Sequence, residues 1–304
     1  MKPLPVRIGI HIGLPKCAST SLQLRMIDAS GANYLGKQLP GSDEAFLDQR
    51  LTELFRTRLP YDPAAAFDLA SHQRVLGEII AAAGADSRAL MLSDELLSGI
   101  GFRNVPRRQL LDPETIFRRL AGLFAEPRVL IVVRSQMPFL RSYYAELVGH
   151  GYNAFFDTFL RTQLASPLGL AQVLRYDRYV ALARRIFPEV EVVPFEGLVA
   201  GEPSTLDALE RFGIDGRDLP RTNPSLEKQK LVQVLRSNII KPRNFGLHTP
   251  LGDVADVREL ERRRRENADP LYLVDRELAA RWQSLSARAN EGLEALTGWR
   301  LESP

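Results

Sequence analysis

The stretch that decides the fold is Val6-Arg-Ile-Gly-Ile-His-Ile-Gly13, followed by Leu-Pro-Lys-Cys-Ala-Ser-Thr-Ser21 and Leu-Gln-Leu-Arg-Met-Ile27. The first part is an apolar, β-rich run typical of a buried strand, and the last part places its apolar residues on one helix face. The loop between them carries a proline, a lysine and small hydroxylic residues. A strand, loop and helix in this order direct N–H groups at one point, which favours phosphate or sulfate binding.

This loop differs from the common nucleotide-triphosphate loop, in which a Gly-Lys pair is followed directly by Ser or Thr. Here Lys16 precedes the small residues, and no Gly-Lys-Ser or Gly-Lys-Thr occurs at this place. The hydroxyl that would anchor Mg²⁺ has no assigned position, so the ligand need not be a magnesium triphosphate. The alternative interpretation is an ordinary strand followed by a helix with a Ser or Thr cap.

The amino-acid composition limits which kinds of protein this chain can be. The chain has 304 residues, of which 45% are hydrophobic, so it is long and apolar enough to bury a full core. The net charge of +3 is small and implies no nucleic-acid partner. No apolar run approaches the length of a membrane span, and the N-terminus lacks the form of a signal peptide. One cysteine excludes an internal disulfide and four histidines disfavour a Cys/His zinc site. We therefore expect a cytoplasmic enzyme without an integral membrane segment.

Strand and helix signals alternate along the chain. Strands are predicted at 6–13, 32–35, 88–93, 128–133 and 190–195. Helices are predicted from residue 22 onward and at 42–58, 63–83, 113–125, 138–148, 154–164, 168–187, 203–212 and 270–296. The alternation predicts an α/β fold with a P-loop-like central parallel sheet flanked by helices over residues 1–215. Residues 216–304 are expected to form a mostly helical C-terminal extension packed on the same domain.

A second candidate anion site follows the clearest strand of the sequence, Arg128-Val-Leu-Ile-Val-Val133. Arg134 comes directly after it, at the end where open α/β sheets place ligand-binding groups. Ser142 lies one turn inside the following helix and is expected to reach back toward the strand end. A guanidinium fork and a hydroxyl form a compact oxyanion pocket, which we expect to be distinct from the first loop.

Three motifs, in this order, resemble those of the sulfotransferases that use 3′-phosphoadenosine-5′-phosphosulfate (PAPS). Residues 15–21 resemble the 5′-phosphosulfate loop, which usually reads P-K-[ST]-G-[ST]-[ST]. Residues 134–142 resemble the 3′-phosphate motif, in which a Ser follows an Arg after eight positions. Phe195-Glu196-Gly-Leu198 is similar to the Y/F-E-x-L strand end of the same family. The three motifs span about the first 215 residues.

The resemblance implies transfer of a sulfuryl group from PAPS to a hydroxyl or amine of an acceptor, without a metal. It also implies the donor-binding set Lys16, Cys17, Ala18, Ser19, Thr20, Ser21, Arg134 and Ser142. Lys16 is expected to be catalytic as well, because it is placed to stabilise charge on the leaving phosphate. The acceptor is expected to be a small molecule or glycan, and the oligomeric state stays open.

The acceptor hydroxyl needs a general base. The family uses His or Glu, and Glu95, at the end of the predicted strand 88–93, resembles the Glu of the carbohydrate-type branch. We therefore expect Glu95 to be the base, with Asp94 as the alternative, and a carbohydrate or glycoconjugate acceptor by analogy. His11 lies inside the first strand and is expected to pack or to support the site rather than to act as the base.

Two loop residues depart from the family pattern. Ala18 stands where the family has Gly, and we expect its backbone to be helical or extended, because a residue with a Cβ disfavours positive φ. Cys17 stands where the family has Ser or Thr. It is either a small filler in a tight loop or a thiol whose pKa is lowered by Lys16 and the helix N-terminus.

Other segments leave alternatives open. Arg258-Glu-Leu-Glu-Arg-Arg-Arg-Arg265 suggests a clamp for an acidic polymer, but glutamates at helical spacing favour a solvated face with local ion pairs. Asn223 and Ser225 are candidates for late donor contacts or for a plain turn. The competing functions are a P-loop kinase and a non-catalytic nucleotide- or polysaccharide-binding protein.

Overall fold

The computed structural model describes residues 3–30, 33–37, 48–83, 90–100, 110–166, 170–220, 227–241, 255–266 and 269–301. Within these ranges the centre of the fold is a four-stranded, all-parallel sheet in the order β2-β1-β3-β4. Its strands are β1 (Leu4–Ile12), β2 (Leu90–Asp94), β3 (Phe124–Val133) and β4 (Glu189–Pro194). Helices flank the sheet, which confirms the predicted α/β class.

Most of the described chain outside the sheet is helical. The helices are α1 (Ser19–Ser30), α2 (Gln49–Glu53), α3 (Leu59–Tyr61), α4 (Leu69–Ala82), α5 (Pro113–Leu123), α6 (Gln136–Gly149), α7 (Phe156–Ala165), α8 (Leu170–Val173), α9 (Tyr176–Ile186), α10 (Phe195–Ala200), α11 (Pro203–Phe212), α12 (Lys228–Ile240), α13 (Val257–Glu266) and α14 (Arg276–Thr297). A π-helical turn, Leu54–Arg58, joins α2 to α3, and 3-10 turns cover Ala64–Ala66 and Glu95–Ser98.

The core lies on both faces of the sheet. Ile8, Ile10 and Ile12 of β1 are fully buried, and so is every side chain of β3 from Val129 to Val133. Continuous burial of this kind is what a parallel strand covered by helices requires. Each such aliphatic side chain contributes about 1.5–3 kcal/mol of transfer free energy, so the sheet is the most firmly held part of the fold.

Parallel strands end at one edge of a sheet, and the register brings the four ends together. Ile12 of β1 lies opposite Asp94 of β2 and Ile131 of β3, and Val133 lies opposite Pro194 of β4. We call this the carboxyl edge. The loop after β1 and the residues that follow β2, β3 and β4 therefore lie next to one another, although 182 positions separate the ends of β1 and β4 (Ile12 to Pro194).

Several predicted boundaries were wrong for local reasons. Pro60 does not end the helix before it, because the π-helical turn continues into α3 and places this proline at a helix start. The helix predicted at 168–187 is divided into α8 and α9. The short strand predicted at 32–35 is a single bridge between Tyr34 and Met91 where the structure describes it. Asp112 caps α5, since its carboxylate accepts the N–H of Thr115 at 3.0 Å.

The C-terminal helices contact the first part of the chain through buried polar groups. The Gln136 side-chain amide of α6 donates to Asn290 Oδ1 of α14 at 2.7 Å, and Asn238 of α12 donates to the Val148 carbonyl at 2.8 Å. The helical character predicted for this region is confirmed, whereas the domain limits at 215 and 216 stay a prediction. None of the helices in the described ranges has the length and apolar character to cross a membrane.

Candidate active site

The loop between β1 and α1 begins as a tight turn. The Cys17 N–H donates to the Leu14 carbonyl at 3.2 Å across Pro15 and Lys16, and Lys16 has a φ of 63°. A proline at the second position and a positive φ at the third are the features of a type II turn. The Ser19 hydroxyl donates to the same Leu14 carbonyl at 3.0 Å and ties the start of α1 to the turn.

The backbone of Ala18 contradicts the sequence-based expectation. Its φ is 60°, in the left-handed region, whereas a helical or extended conformation was expected. The position therefore keeps the conformation that a glycine would adopt freely, and the methyl group makes it costly by about 1–3 kcal/mol. Left-handed residues on both sides of Cys17 are the backbone feature from which anion-binding concavities are built. Strain of this kind persists only where the surrounding contacts impose it.

Cys17 is a filler and not an activated thiol. Its side chain is fully buried, and burial raises the pKa of the thiol, which outweighs the opposing effect of the nearby Arg134 and Lys16 charges. Its N–H is already used in the turn with Leu14. We therefore leave Cys17 out of the anion-binding set proposed below.

The first turn of α1 is fixed against a distant segment. The Ser21 hydroxyl donates to the Pro220 carbonyl at 2.6 Å, and the Arg25 guanidinium donates to the carbonyls of Arg217 and Asp218 at 2.9 and 2.7 Å. Thr20 is partly buried at the second position of the helix. The N-terminus of α1, with its positive end of the helix dipole, thus points into the carboxyl edge from a rigid support.

Arg134 contacts the β1–α1 loop. Its Nη1 donates to the Lys16 carbonyl at 2.9 Å, so the two candidate anion-binding groups adjoin each other, and a separate oxyanion pocket at Arg134 stays a prediction. The cause is the sheet order, which makes β1 and β3 neighbours. The backbone of Arg134 is held in turn by the Tyr176 hydroxyl, which donates to its carbonyl at 2.8 Å.

The guanidinium of Arg134 is held in place but its charge is not neutralised. Its Cζ lies 4.4 Å from the centre of the Phe195 ring, a cation–π contact that orients the plane. Its Nε is buried without a hydrogen-bond partner, and no carboxylate of the described residues lies within ion-pair distance of it. A part-buried arginine without a described carboxylate partner, beside the β1–α1 loop, favours an anion site at this edge.

Phe195 and Glu196 contact Arg134 and the start of α6, respectively. Phe195 begins α10 directly after β4 and stacks on Arg134. The Glu196 carboxylate accepts the N–H of Ser135 at 3.0 Å and so caps the start of α6. The aromatic-Glu pair at this strand end therefore orients the arginine and fixes the helix that follows it.

Ser142 lies in the second turn of α6 and is partly buried. The structure shows no hydrogen bond between its hydroxyl and Arg134. One turn further along the same face, Glu146 does reach the loop, because its Oε2 accepts a hydrogen bond from Lys16 Nζ at 3.1 Å. The sequence analysis missed Glu146, and only its spacing of four residues from Ser142 could have indicated it.

Glu95 is the first residue after β2 and is partly buried. Burial raises the pKa of its carboxyl, the adjacent Asp94 charge raises it further, and Lys37 and Arg56 oppose the rise. Asp94 itself is fully buried and already occupied. Its Oδ1 accepts the Leu96 N–H at 2.8 Å and its Oδ2 lies 3.2 Å from Arg56 Nε. Of the two carboxylates, Glu95 is the one with exposed surface at the edge.

His11 is a supporting residue beneath the loop. It is fully buried, its Nδ1 lies 2.9 Å from Ser93 Oγ, and burial lowers the pKa of the imidazole to about 4. It is therefore neutral at pH 7. A Cβ added to Gly13 would lie 3.3 Å from its ring and 3.1 Å from Ser19 Oγ, so the loop packs closely on it.

Comparison of the chain with known proteins finds a distant structural similarity. A crystal structure of a sulfotransferase from Alicyclobacillus acidocaldarius is similar with a TM-score of 0.47 and 15% sequence identity. The match covers 78% of this chain and 94% of that chain. Values this low carry no conclusion about function. No family model matches the chain. No curated protein matches it either.

The arginine-rich segment forms local ion pairs, as predicted. Arg262 and Arg263 of α13 both donate to Glu259, at 2.8 and 2.7 Å, and Arg264 lies 3.2 Å from Glu261. These donors lower the pKa of Glu259 to about 2. The candidate donor contacts Asn223 and Ser225 lie outside the described residues. Within the described ranges, no group of three His, Cys, Asp or Glu side chains is placed to hold a metal ion.

Proposed function

We propose that this protein transfers a sulfuryl group from PAPS to a hydroxyl or amine of a carbohydrate or glycoconjugate acceptor, without a metal. The observation that carries the proposal is the part-buried Arg134, whose charge has no described carboxylate partner and which contacts the β1–α1 loop. One nucleotide ligand with a phosphate on each side of its ribose fits two adjoining anion-binding groups. The three sequence motifs supply the rest of the support.

The residues at the edge divide into two groups, one for each end of the donor. Lys16, Ser19, Thr20 and Ser21 would hold the phosphosulfate end at the start of α1, and Arg134 with Ser142 would hold the 3′-phosphate. The Arg134 guanidinium has no carboxylate partner among the described residues, and a phosphate would supply the negative charge that it lacks. ATP carries no 3′-phosphate and would leave this donor unfilled, which disfavours the kinase alternative.

The chain's own groups divide the chemistry between them. PAPS, when bound, supplies the activated sulfuryl group. Lys16 neutralises the negative charge that develops on the leaving phosphate oxygen, in a place already shaped by the loop. Glu95 removes the proton of the acceptor hydroxyl, for which a carboxylate with a raised pKa is suited. The cytoplasmic location, the acceptor class and the metal independence remain predictions.

The direct test is turnover of sulfur-labelled PAPS with a panel of sugars, lipids and phenols, in parallel with ligand-dependent thermal stability. We expect adenosine 3′,5′-bisphosphate to raise the melting temperature more than adenosine 5′-monophosphate or ATP does, since stabilisation follows binding strength. Label transfer should persist in excess EDTA. Equal shifts with ATP, or strict Mg²⁺ dependence, would contradict the proposal. Bisphosphate binding without any label transfer would favour the non-catalytic alternative.

Glu95→Gln tests the base. We expect turnover to fall at least a hundredfold while bisphosphate binding stays unchanged, because the amide cannot accept a proton. In the parent enzyme the base must be ionised, so kcat/KM should rise with pH through a pKa above the ordinary 4.5 of a glutamate. Near-normal turnover would remove Glu95 from this role.

The same variant carries a stability readout with a defined sign. A raised pKa means that the folded state binds the Glu95 proton more tightly than the unfolded chain does, so stability falls as pH rises through that pKa. Glu95→Gln should therefore increase the free energy of unfolding at pH 7 and have no such effect at pH below 4. Glu259→Gln, at a partly exposed carboxylate of α13 whose pKa is lowered to about 2, should change the free energy of unfolding with the opposite sign and is the comparison.

A further inference from the structure

The ammonium of Lys16 is bound by a carboxylate of the protein itself. Lys16 Nζ donates to Glu146 Oε2 at 3.1 Å, and the two side chains keep 17% and 36% of their surface exposed. The partners are 130 positions apart in the chain, so this is a tertiary contact between the β1–α1 loop and α6. A partly exposed pair of this kind is held weakly and separates at small cost.

The loop does not depend on this pair for its conformation. Its carbonyls are already held by Arg134 Nη1 at Lys16 and by the Ser19 hydroxyl at Leu14. α6 is likewise fixed independently at its start, where Glu196 accepts the Ser135 N–H. The Lys16–Glu146 contact is therefore an addition to two elements that are positioned by other bonds.

The chemistry of the contact is that of a competing ligand. A carboxylate presents a negative charge and two acceptor oxygens to the ammonium, as a sulfate or phosphate group would. A second anion at the start of α1 would be repelled by Glu146 at close range. We propose that Glu146 is an internal anion that occupies Lys16 in the empty site and that the phosphosulfate end of the donor must displace. This inference rests on the proposed function.

Displacement of this kind weakens the binding of every anion that reaches Lys16. A free sulfate or phosphate ion gains only the contacts of the loop, and these are offset by the lost Lys16–Glu146 pair. A nucleotide with two phosphates also gains Arg134, whose charge has no carboxylate partner among the described residues. The internal carboxylate thus lowers the affinity for every anion by a similar factor, and the preference for the ligand with two phosphates comes from its additional contact with Arg134.

The test is calorimetric titration of the parent protein, Glu146→Gln and the control Glu259→Gln with adenosine 3′,5′-bisphosphate at low ionic strength. We expect Glu146→Gln to bind about two- to fivefold more tightly, the range for release of a partly exposed ion pair. Glu259→Gln, which removes an ion-paired carboxylate of α13, should bind as the parent does. In a Lys16→Met background the Glu146 substitution should strengthen binding less than in the parent, because only the direct repulsion between Glu146 and the ligand is then removed.

The other outcomes overturn the inference in distinguishable ways. Equal or weaker binding by Glu146→Gln, with binding by the parent intact, refutes the internal anion and leaves the proposed function standing. A hundredfold loss of turnover at unchanged affinity would make Glu146 a reacting group instead. Absence of bisphosphate binding in every protein refutes both proposals together. Glu146→Ala is a second variant that keeps a good helix former in α6 if the amide fails to fold.

Discussion

Arg134 and the arginines of α13 show how little the number of basic residues indicates by itself. The α13 segment has five arginines within eight residues, yet the three at 262–264 are paired with glutamates of the same helix. Arg134 is a single arginine at a strand end, part-buried, stacked on Phe195 and without a described carboxylate partner. The arginine without a described carboxylate partner indicates a binding site, and the dense group of paired arginines does not.

The two regions also differ in backbone strain. The loop that Arg134 contacts holds Lys16 and Ala18 in the left-handed region. Residues of α13 have ordinary helical geometry and are stabilised locally by pairs at three- and four-residue spacing. Strain and unpaired charge coincide at the carboxyl edge, which is the combination expected of a site that is completed by a ligand.

The strongest test of the edge is Lys16→Met. We expect turnover of labelled PAPS to fall by about 10²–10³, the usual loss for one preorganised donor that stabilises developing charge. Affinity for adenosine 3′,5′-bisphosphate should change less than turnover, because the neighbouring groups remain. A residual rate within threefold of the parent would contradict the catalytic role of Lys16.

The second-largest effect is expected for Arg134→Gln. We expect binding of adenosine 3′,5′-bisphosphate to weaken about thirtyfold or more, as for loss of one partner of a part-buried charge contact. Adenosine 5′-monophosphate is the control ligand, since it lacks the group assigned to Arg134 and should lose far less affinity. Equal losses for both ligands would mean that Arg134 serves only to hold the Lys16 carbonyl.

Ala18→Gly tests whether the left-handed backbone at residue 18 is strained. Glycine removes a steric cost of about 1–2 kcal/mol at positive φ, which stabilises the folded state. It also raises the conformational entropy of the unfolded chain, which destabilises the folded state by about 0.5–1 kcal/mol. The net expectation is a small gain in the free energy of unfolding, measured by urea denaturation. Ala280→Gly in the exposed face of α14 is the matched control and should lose about 1 kcal/mol. Losses of equal size at both positions would contradict the strained backbone.

The smallest effect is expected in α13. Arg262→Gln and Arg264→Gln should each change the free energy of unfolding by less than about 1 kcal/mol, as exposed pairs do. Their affinity for a sulfated polysaccharide, measured by retention on an immobilised polyanion, should match that of the parent. A tenfold loss of retention would revive the clamp interpretation and reduce the contrast with Arg134.

Some parts of the site could be predicted from the sequence because they depend on short stretches of chain. The apolar runs at 6–13 and 128–133 predicted two strands, and Arg134 was expected at the end where open α/β sheets place ligand-binding groups. The contact between Arg134 and the Lys16 carbonyl was not predicted. It depends on β1 and β3 being neighbours, which the order of elements along the chain does not specify.

Other parts depended on packing that the sequence does not display. The left-handed Ala18 was missed because a local steric rule is overridden when the turn, Ser19 and Arg134 all hold the loop. The state of Cys17 was left open because burial, which raises its pKa, is a property of the folded loop. Glu146 was missed because its partner lies 130 residues away.

The sequence by itself determined the elements, the parallel α/β class and which residue types follow each strand, because hydrophobic periodicity and turn chemistry act over a few residues. Only the tertiary structure decided which charges are paired, which are left without a partner and where the backbone is strained. Those properties depend on groups that are distant along the chain and adjacent in space, since the electrostatic and steric energy of a side chain is set by its neighbours in the fold.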